Sequence, residues 1–232
     1  AWGDWRGYRA TQLDSLEMFT KSPSLVWEFN QYRRNLVMNS MPNAAHKALV
    51  NYEEYIKSID RRNTFTIITQ NIDGLHTTAG SKDVVEMHGS LFKTRCLKCS
   101  HITTNWDDPI CPAFISNGSP ANLTSSEIRV NELPHCNQPG CDGLLRPFII
   151  WYGEQLGKVL LAKAESALRK CDLCLVIGTS LVVNPVAMYA PRLAAIGVPV
   201  AEFNIESTDA TPLFKFFFRG PSADTLPELL SV

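Results

Sequence analysis

Thr69 to Ser90 reads T-Q-N-I-D-G-L-H-T-T-A-G-S-K-D-V-V-E-M-H-G-S, and its reading decides the fold. It opens where an apolar run, Thr64 to Ile68, gives way to polar residues. That run reads as a strand, and Asp83 to Met87 as a second short strand. Gln70, Asn71 and Asp73 then follow the first strand, and His88 follows the second. Amides, a carboxylate and an imidazole at strand ends define a candidate polar site in an α/β fold. A histidine met alone in such a place reads as a hydrogen-bonded loop residue, and Q-N-x-D as turn chemistry. The cysteines that follow tip the balance toward a site.

Cys96-x-x-Cys99 and Cys136-x-x-x-x-Cys141 flank a polar segment. Thiolates on two such turns can converge tetrahedrally on zinc; two disulfides or free thiols are the alternative. Four cysteines would leave no position for a catalytic water, so the metal reads as structural. Asn105 to Leu133, between the pairs, is rich in Pro, Asn and Ser and would pack poorly without a staple. Cys111 reads as a packed or free thiol.

Farther along, Leu144 to Trp151 is apolar but interrupted by Arg146-Pro147, and it ends in Tyr152-Gly153-Glu154. Lys158 to Arg169 has a helical pattern. Asp172 to Ile177 reads as a buried parallel strand that delivers Gly178-Thr179-Ser180 to its carboxyl end, where small residues let a phosphate or ribose approach the backbone. Cys171 and Cys174 form a second C-x-x-C, open to a redox reading or to core packing of Cys174. Pro185 to Ile196 is a helix, Val198 to Phe203 a strand ending at Asn204-Ile205-Glu206, and Lys215 to Arg219 a last strand. Strands alternating with helices indicate a doubly wound parallel sheet.

Toward the amino end, Ala1 to Leu13 reads as irregular. Asp14 to Phe19 is a helix capped by Asp14 or Ser15. Ser24 to Met38 and Asn43 to Ile59 are two more. On pattern alone, Arg33-Arg34 reads as a solvated helix face.

The 232 residues suffice for one large α/β domain or a domain with an insertion. Hydrophobic content of 45% and charged content of 19% are ordinary for a globular chain. A formal net charge of -1 points to neither nucleic acid nor an anionic membrane surface. No apolar run is long enough to span a bilayer. The chain opens with Ala1 and shows no signal-type core, so it reads as a trimmed piece without visible targeting information. Seven cysteines make a complete disulfide framework impossible within one chain, which favours a metal site in a reducing compartment.

Together these motifs closely resemble the sirtuins, the NAD-dependent protein-lysine deacylases. The resemblance runs from about Trp5 to Leu230 and is strongest to the class III branch, the mitochondrial-type desuccinylases, demalonylases and deglutarylases. The residues behind it are W-E-F-x-x-Y-R-R at Trp27 to Arg34, H-G-S-L-F-K-T-R-C at His88 to Cys96, C-D-G-L-L-R-P at Cys141 to Pro147 and V-P-V-A-E-F-N at Val198 to Asn204.

The resemblance implies a Rossmann-like parallel sheet with an inserted zinc-binding module and a small helical module. It implies one catalytic domain over residues 1–232, with the helical module at about 11–62, the zinc module at about 93–147 and the Rossmann-like part at about 63–92 and 148–232. It further implies NAD and zinc as cofactors and acylated-lysine proteins or peptides as partners, in mitochondria and also in cytosol and nucleus. In the family reaction the acyl oxygen attacks C1′ of the nicotinamide ribose, and a histidine acts as general base on a ribose hydroxyl. His88 matches that base. Gln70, Asn71 and Asp73 match residues that hold nicotinamide and its ribose. Gly178, Thr179, Ser180, Asn204, Glu206 and Ser222 match residues that hold the rest of the dinucleotide. Ile150, Trp151, Tyr152, Gly153 and Glu154 match the segment that clamps substrate. Cys96, Cys99, Cys136 and Cys141 match the zinc ligands.

Two departures stand out. Sirtuins that remove acidic acyl groups carry Tyr-x-x-Arg; here Arg33 matches the arginine, but Asn30 replaces the tyrosine. Acyl preference is thus open among succinyl, malonyl, glutaryl and acetyl. The family's G-A-G-x-S loop is not present either, since Gly3 and Gly7 do not reproduce it. The chain as given is therefore expected to turn over NAD poorly. The competing expectation is a catalytically impaired zinc module that binds acyl-lysine peptides or protein partners.

Overall fold

A computed structural model describes residues 5–115 and 127–231. Gly3 and the 116–126 part of the segment between the cysteine pairs lie outside the described residues. In chain order the helices and strands are α1 Ala10–Leu13, α2 Leu16–Lys21, α3 Pro23–Met38, α4 Ala44–Ile59, β1 Ile67–Thr69, α5 Leu75–Ala79, β2 Val84–Glu86, β3 Gly89–Cys96, β4 Ile102–Thr104, β5 Leu145–Ile149, α6 Lys158–Leu168, β6 Cys174–Ile177, α7 Tyr189–Ala195, β7 Val200–Asn204, β8 Phe216–Arg219 and α8 Ser222–Leu229. Short 3₁₀ turns punctuate the loops.

The chain divides into two compact units. The first comprises Ala1–Met41, Asn71–Gly74 and His88–Leu156. Ser15 caps α2 by accepting from the Met18 N–H at 3.1 Å, and Pro23 opens α3 where a missing N–H costs nothing. The sheet of this unit is antiparallel, in the order β4-β3-β5. β3 is absent from the pattern reading, because six of its eight residues are buried and no alternation marks it. Phe19, Val26, Trp27, Leu91, Phe92, Ile149 and Trp151 share one core.

Arg33 and Arg34 do not form a solvated face: they are 1% and 0% exposed. Arg34 donates to the carbonyls of Leu91, Asn105 and Asp107 at 2.9, 3.0 and 2.7 Å. Burial pulls its guanidinium down to about 10, against the opposing pull of Asp108 and Asp107. It still carries its charge near neutral pH.

The second unit comprises Pro42–Gln70, Leu75–Met87 and Gly157–Val232. It holds the parallel strands expected of a Rossmann-like fold. β1 pairs with β2, and β6, β7 and β8 form a second parallel ladder. α4 belongs to this unit, although the sequence reading placed it with the earlier helices. Ala45, Ala48 and Leu49 of α4 pack with Ala201, Phe203, Leu226 and Leu230. A second cluster joins Val176 and Val200 to Ala190 and Leu193 of α7. At the start of β2, Asp83 accepts from the Thr66 hydroxyl at 2.6 Å and pairs with Lys163 at 2.9 Å. Burial pushes the Asp83 carboxyl up, but these two partners outweigh it and hold it below the ordinary value.

Candidate active site and cysteine cluster

In the first unit, His88 lies half-buried in the tight turn between β2 and β3. Its carbonyl accepts from the Ile150 N–H at 2.9 Å, which anchors the turn to the end of β5. Gly89 makes that approach possible. Its φ is +81°, and a Cβ there would stand 2.0 Å from the Phe148 carbonyl oxygen. The Leu91 N–H donates to the Ile72 carbonyl at 2.9 Å, so Asn71, Ile72 and Asp73 are tethered to the strand that follows His88. Asn71 is exposed and Asp73 half-buried. The imidazole and the N-x-D segment thus share one unit and one backbone network, although seventeen positions separate Asn71 from His88.

The segment matched to substrate, Ile150 to Glu154, is a turn held from within. Arg146 and Glu154 form a two-pronged ion pair at 2.6 and 2.9 Å. Glu154 also accepts from the Trp151 N–H at 2.9 Å, and the Arg146 guanidinium lies 3.7 Å from the Trp151 ring centroid. Burial pushes the Glu154 carboxyl up, yet Arg146 and the Trp151 N–H prevail and hold it below the usual range. The Trp151 side chain is core, and the Glu154 carboxylate is engaged with Arg146. Tyr152 and Gly153 are the exposed residues of the turn.

Arg33 has an internal partner. It donates to both Asp14 carboxylate oxygens at 2.8 and 2.7 Å and to Asn30 Oδ1 at 2.8 Å.

Cys96, Cys99, Cys136 and Cys141 gather with all four sulfurs within 4.8 Å of one another. Sγ separations of 3.6 Å for Cys96–Cys141 and 3.7 Å for Cys99–Cys136 compare with the edge of about 3.8 Å that tetrahedral zinc–thiolate bonds of about 2.3 Å require. The donor set and these two separations fit zinc. The N–H groups of Cys99 and Lys98 turn toward Cys96 Sγ and bring that thiol down to about 6. Cys111 stays outside the cluster and meets the Glu132 carbonyl at 3.4 Å. Burial raises its thiol above the ordinary value. Cys171 and Cys174 instead pack on the α7 side of the second unit. Their mutual hydrogen bond holds Cys171 down to about 7 and pushes Cys174 up.

In the second unit, Gly178, Thr179 and Ser180 follow β6. Gly178 has a φ of +59° and open space where a Cβ would be, which suits a ligand lying close to the backbone. Asn204, at the end of β7, donates to the Thr179 carbonyl at 2.9 Å and so braces that turn. Beneath it Glu202 is fully buried and accepts from Thr208 and Thr211 at 3.1 and 2.5 Å. Pattern reading missed this Glu202 network, because an acid in an apolar strand gives no sign of its partners. Glu206 is exposed, and half-buried Ser222 begins α8. Gln70 is half-buried just past β1.

A parallel-stranded α/β unit, four cysteines that could hold zinc and an imidazole that follows an amide–carboxylate segment define a Rossmann-like protein with a candidate zinc module. The chain belongs to the Sir2 family, whose model matches residues 1–185. It is 50% identical over 229 residues to the NAD-dependent protein deacylase sirtuin-5, mitochondrial, of Danio rerio, covering 98% of this chain and 74% of that protein. It resembles the solved structure of a Sir2 homolog–NAD complex with a TM-score of 0.78 at 31% identity, covering 97% of this chain and 77% of the other. A structure of Sir2 bound to acetylated peptide matches with a TM-score of 0.76 at 25% identity, covering 96% and 83%.

Proposed function

We propose that the protein removes acyl groups from protein lysines in an NAD-dependent reaction, with His88 as its general base. The observation that carries this reading is the tether between Ile72 and Leu91, which holds the Asn71–Asp73 segment on the strand that begins beside His88. The Sir2 relatives named for NAD-dependent deacylation support it.

Bound NAD supplies the electrophilic ribose carbon, with nicotinamide as leaving group, and accepts the acyl group. His88 takes a proton from a ribose hydroxyl at an imidazole nitrogen, as a general base does. Asn71 and Asp73, with Gln70, orient nicotinamide and its ribose. Gly178, Thr179, Ser180, Asn204, Glu206 and Ser222 are assigned to the remaining dinucleotide. The peptide backbone of the substrate runs along Ile150 to Glu154, where Trp151 and Glu154 act by keeping the turn rigid while Tyr152 and Gly153 face outward. Arg33 marks the acyl end. Cys96, Cys99, Cys136 and Cys141 hold a structural zinc ion that leaves no vacancy for chemistry.

The compartment we assign is the mitochondrion, with cytosol and nucleus as further sites. Among the described residues no helix is long and apolar enough to cross a membrane.

The test is peptide deacylation by an active, full-length form carrying His88→Ala. Loss of a general base typically lowers the rate by about 10²–10⁴. The variant should lose NAD-dependent release of the acyl group while keeping its thermal midpoint. Turnover near the parent level would remove His88 from this role.

A further inference from the structure

We infer that Asp14 closes the acyl end of the substrate site to acidic acyl groups, so that the preferred substrate is a lysine carrying a neutral acyl group. This inference rests on the deacylase reading and on its placement of the acyl end at Arg33.

A guanidinium is the group that would select a carboxylate, because its planar fork matches two carboxylate oxygens. In this chain the fork already holds a carboxylate of its own. Asp14 takes both terminal nitrogens of Arg33, at 2.8 and 2.7 Å. Asn30 Oδ1 accepts from one of them as well, at 2.8 Å. The Arg33 guanidinium also lies 4.2 Å from the Phe29 ring centroid, which fixes its plane.

The order of the two charges from the surface inward decides the outcome. The Arg33 side chain is 1% exposed and the Asp14 side chain 15%. Asp14 is therefore the outer partner, and a ligand approaching from solvent meets its carboxylate before the guanidinium. Asp14 is also held at its backbone. Its N–H donates to the Ala10 carbonyl at 2.8 Å at the end of α1, and its carbonyl accepts from the Tyr152 N–H at 3.2 Å. The second bond ties Asp14 directly to the turn assigned to the substrate. Ser15, its neighbour, caps α2, so Asp14 cannot swing away without disturbing two helix ends.

Asn30 adds to the effect. Its amide nitrogen donates to the Val26 carbonyl of its own helix at 2.8 Å, and its oxygen is turned to Arg33. A succinyl or malonyl carboxylate brought to Arg33 would place a second negative charge against Asp14 in a mostly buried setting. One of the two would have to leave or take up a proton. An acetyl group, or another uncharged acyl group, meets no such conflict.

The experiment measures binding of two peptides that differ only in acetyl- or succinyl-lysine to the full chain, by titration calorimetry. The parent should bind the acetyl peptide more tightly. Asp14→Ala frees one charge-assisted site on Arg33 and should swing the affinity ratio toward the succinyl peptide by about ten- to a hundredfold. The double change Asp14→Ala with Arg33→Met should abolish that swing. If Asp14→Ala fails to fold by circular dichroism, Asp14→Asn keeps the size and removes the charge, and its ratio should move in the same direction. A ratio unmoved by the folded variant, or a parent that already favours the succinyl peptide, overturns the inference. NAD-dependent turnover of the same peptides is read separately. Absent turnover by a form that also carries the family's glycine-rich loop, with a moving ratio, sinks only the deacylase reading. Normal turnover with a static ratio sinks only the role of Asp14.

Discussion

α3 and α4 are near neighbours in sequence and each sixteen residues long, yet they bury different chemistry. α4 buries Ala45, Ala48, Leu49 and a single acid, Glu53, which pairs with Lys57 one turn later. α3 buries Ser24, Glu28, Asn30, Gln31, Arg33 and Arg34 together with Val26, Trp27, Phe29 and Val37. The partners of these polar groups explain how that is tolerated. Arg34 reaches Asn105 and Asp107, 71 and 73 positions away. Gln31 donates to Asp108 at 2.8 Å and accepts from the Ile110 N–H at 2.9 Å. The Ile128 N–H donates to Ser24 at 3.0 Å. All of these partners lie between Cys99 and Cys136. An apolar stripe can bury α4, whereas burying Ser24, Gln31 and Arg34 of α3 draws on the segment between the cysteine pairs; Glu28 and Arg33 pair instead with Arg6 and Asp14.

The largest test of this contrast is removal of the metal. One zinc ion per chain is expected, and loss of a structural zinc site costs on the order of 10 kcal/mol. Chelation, or Cys136→Ala, should strip hydrogen-exchange protection from α3 while α4 retains its own. Loss of protection in both helices together would show that they belong to one cooperative unit, and the contrast would fail.

Next in size is the pair Arg34→Ala and Lys47→Ala. The first leaves the carbonyls of Leu91, Asn105 and Asp107 without their donor, which should cost about 3–5 kcal/mol. Lys47 is exposed on α4, and its loss should stay within about 0.5 kcal/mol. Chemical denaturation of both variants checks this. Similar losses would mean that the buried charges of α3 are not what holds it.

The smallest effect concerns Glu154, which sets up the same kind of pairing in a partly solvated place. Its carboxyl lies below the ordinary value in the folded protein. The stability it contributes is thus present above the unfolded value of about 4.3 and is lost as pH falls through the lower folded value. Because the pair is partly exposed, the contribution should be no more than about 1 kcal/mol. Glu154→Gln should flatten that acidic part of the stability curve and leave the neutral part nearly parallel to the parent. An unchanged acid limb would show that Arg146 gains nothing from the carboxylate.

Much of the molecule is legible in its sequence. Alternation of apolar runs with helical patterns located the parallel strands, and helical periodicity located α4. Spacing alone separated neither of the two C-x-x-C segments from the other. Cys96 and Cys99 find two more sulfurs, while Cys171 and Cys174 find α7 and an apolar core. β3 was not legible, because a strand buried on both faces carries no period of two. Nor was the burial of Arg33 and Arg34, since a charged pair on a helix reads as solvent-facing wherever its partners are distant.

The sequence by itself determined the α/β class, four cysteines in two pairs with zinc-ligand spacing, a helix start at Asp14 or Ser15 and the identity of the groups at the strand ends. Those rest on local periodicity, on the few side chains that can bind zinc or cap a helix, and on order along the chain. Tertiary structure alone decided that α4 joins the second unit, that Ile72 is tethered beyond His88, and that Asp14 rather than solvent meets Arg33. The reason is physical: a charge or a polar backbone group takes its character from the partner it meets, and that partner lies tens of residues away.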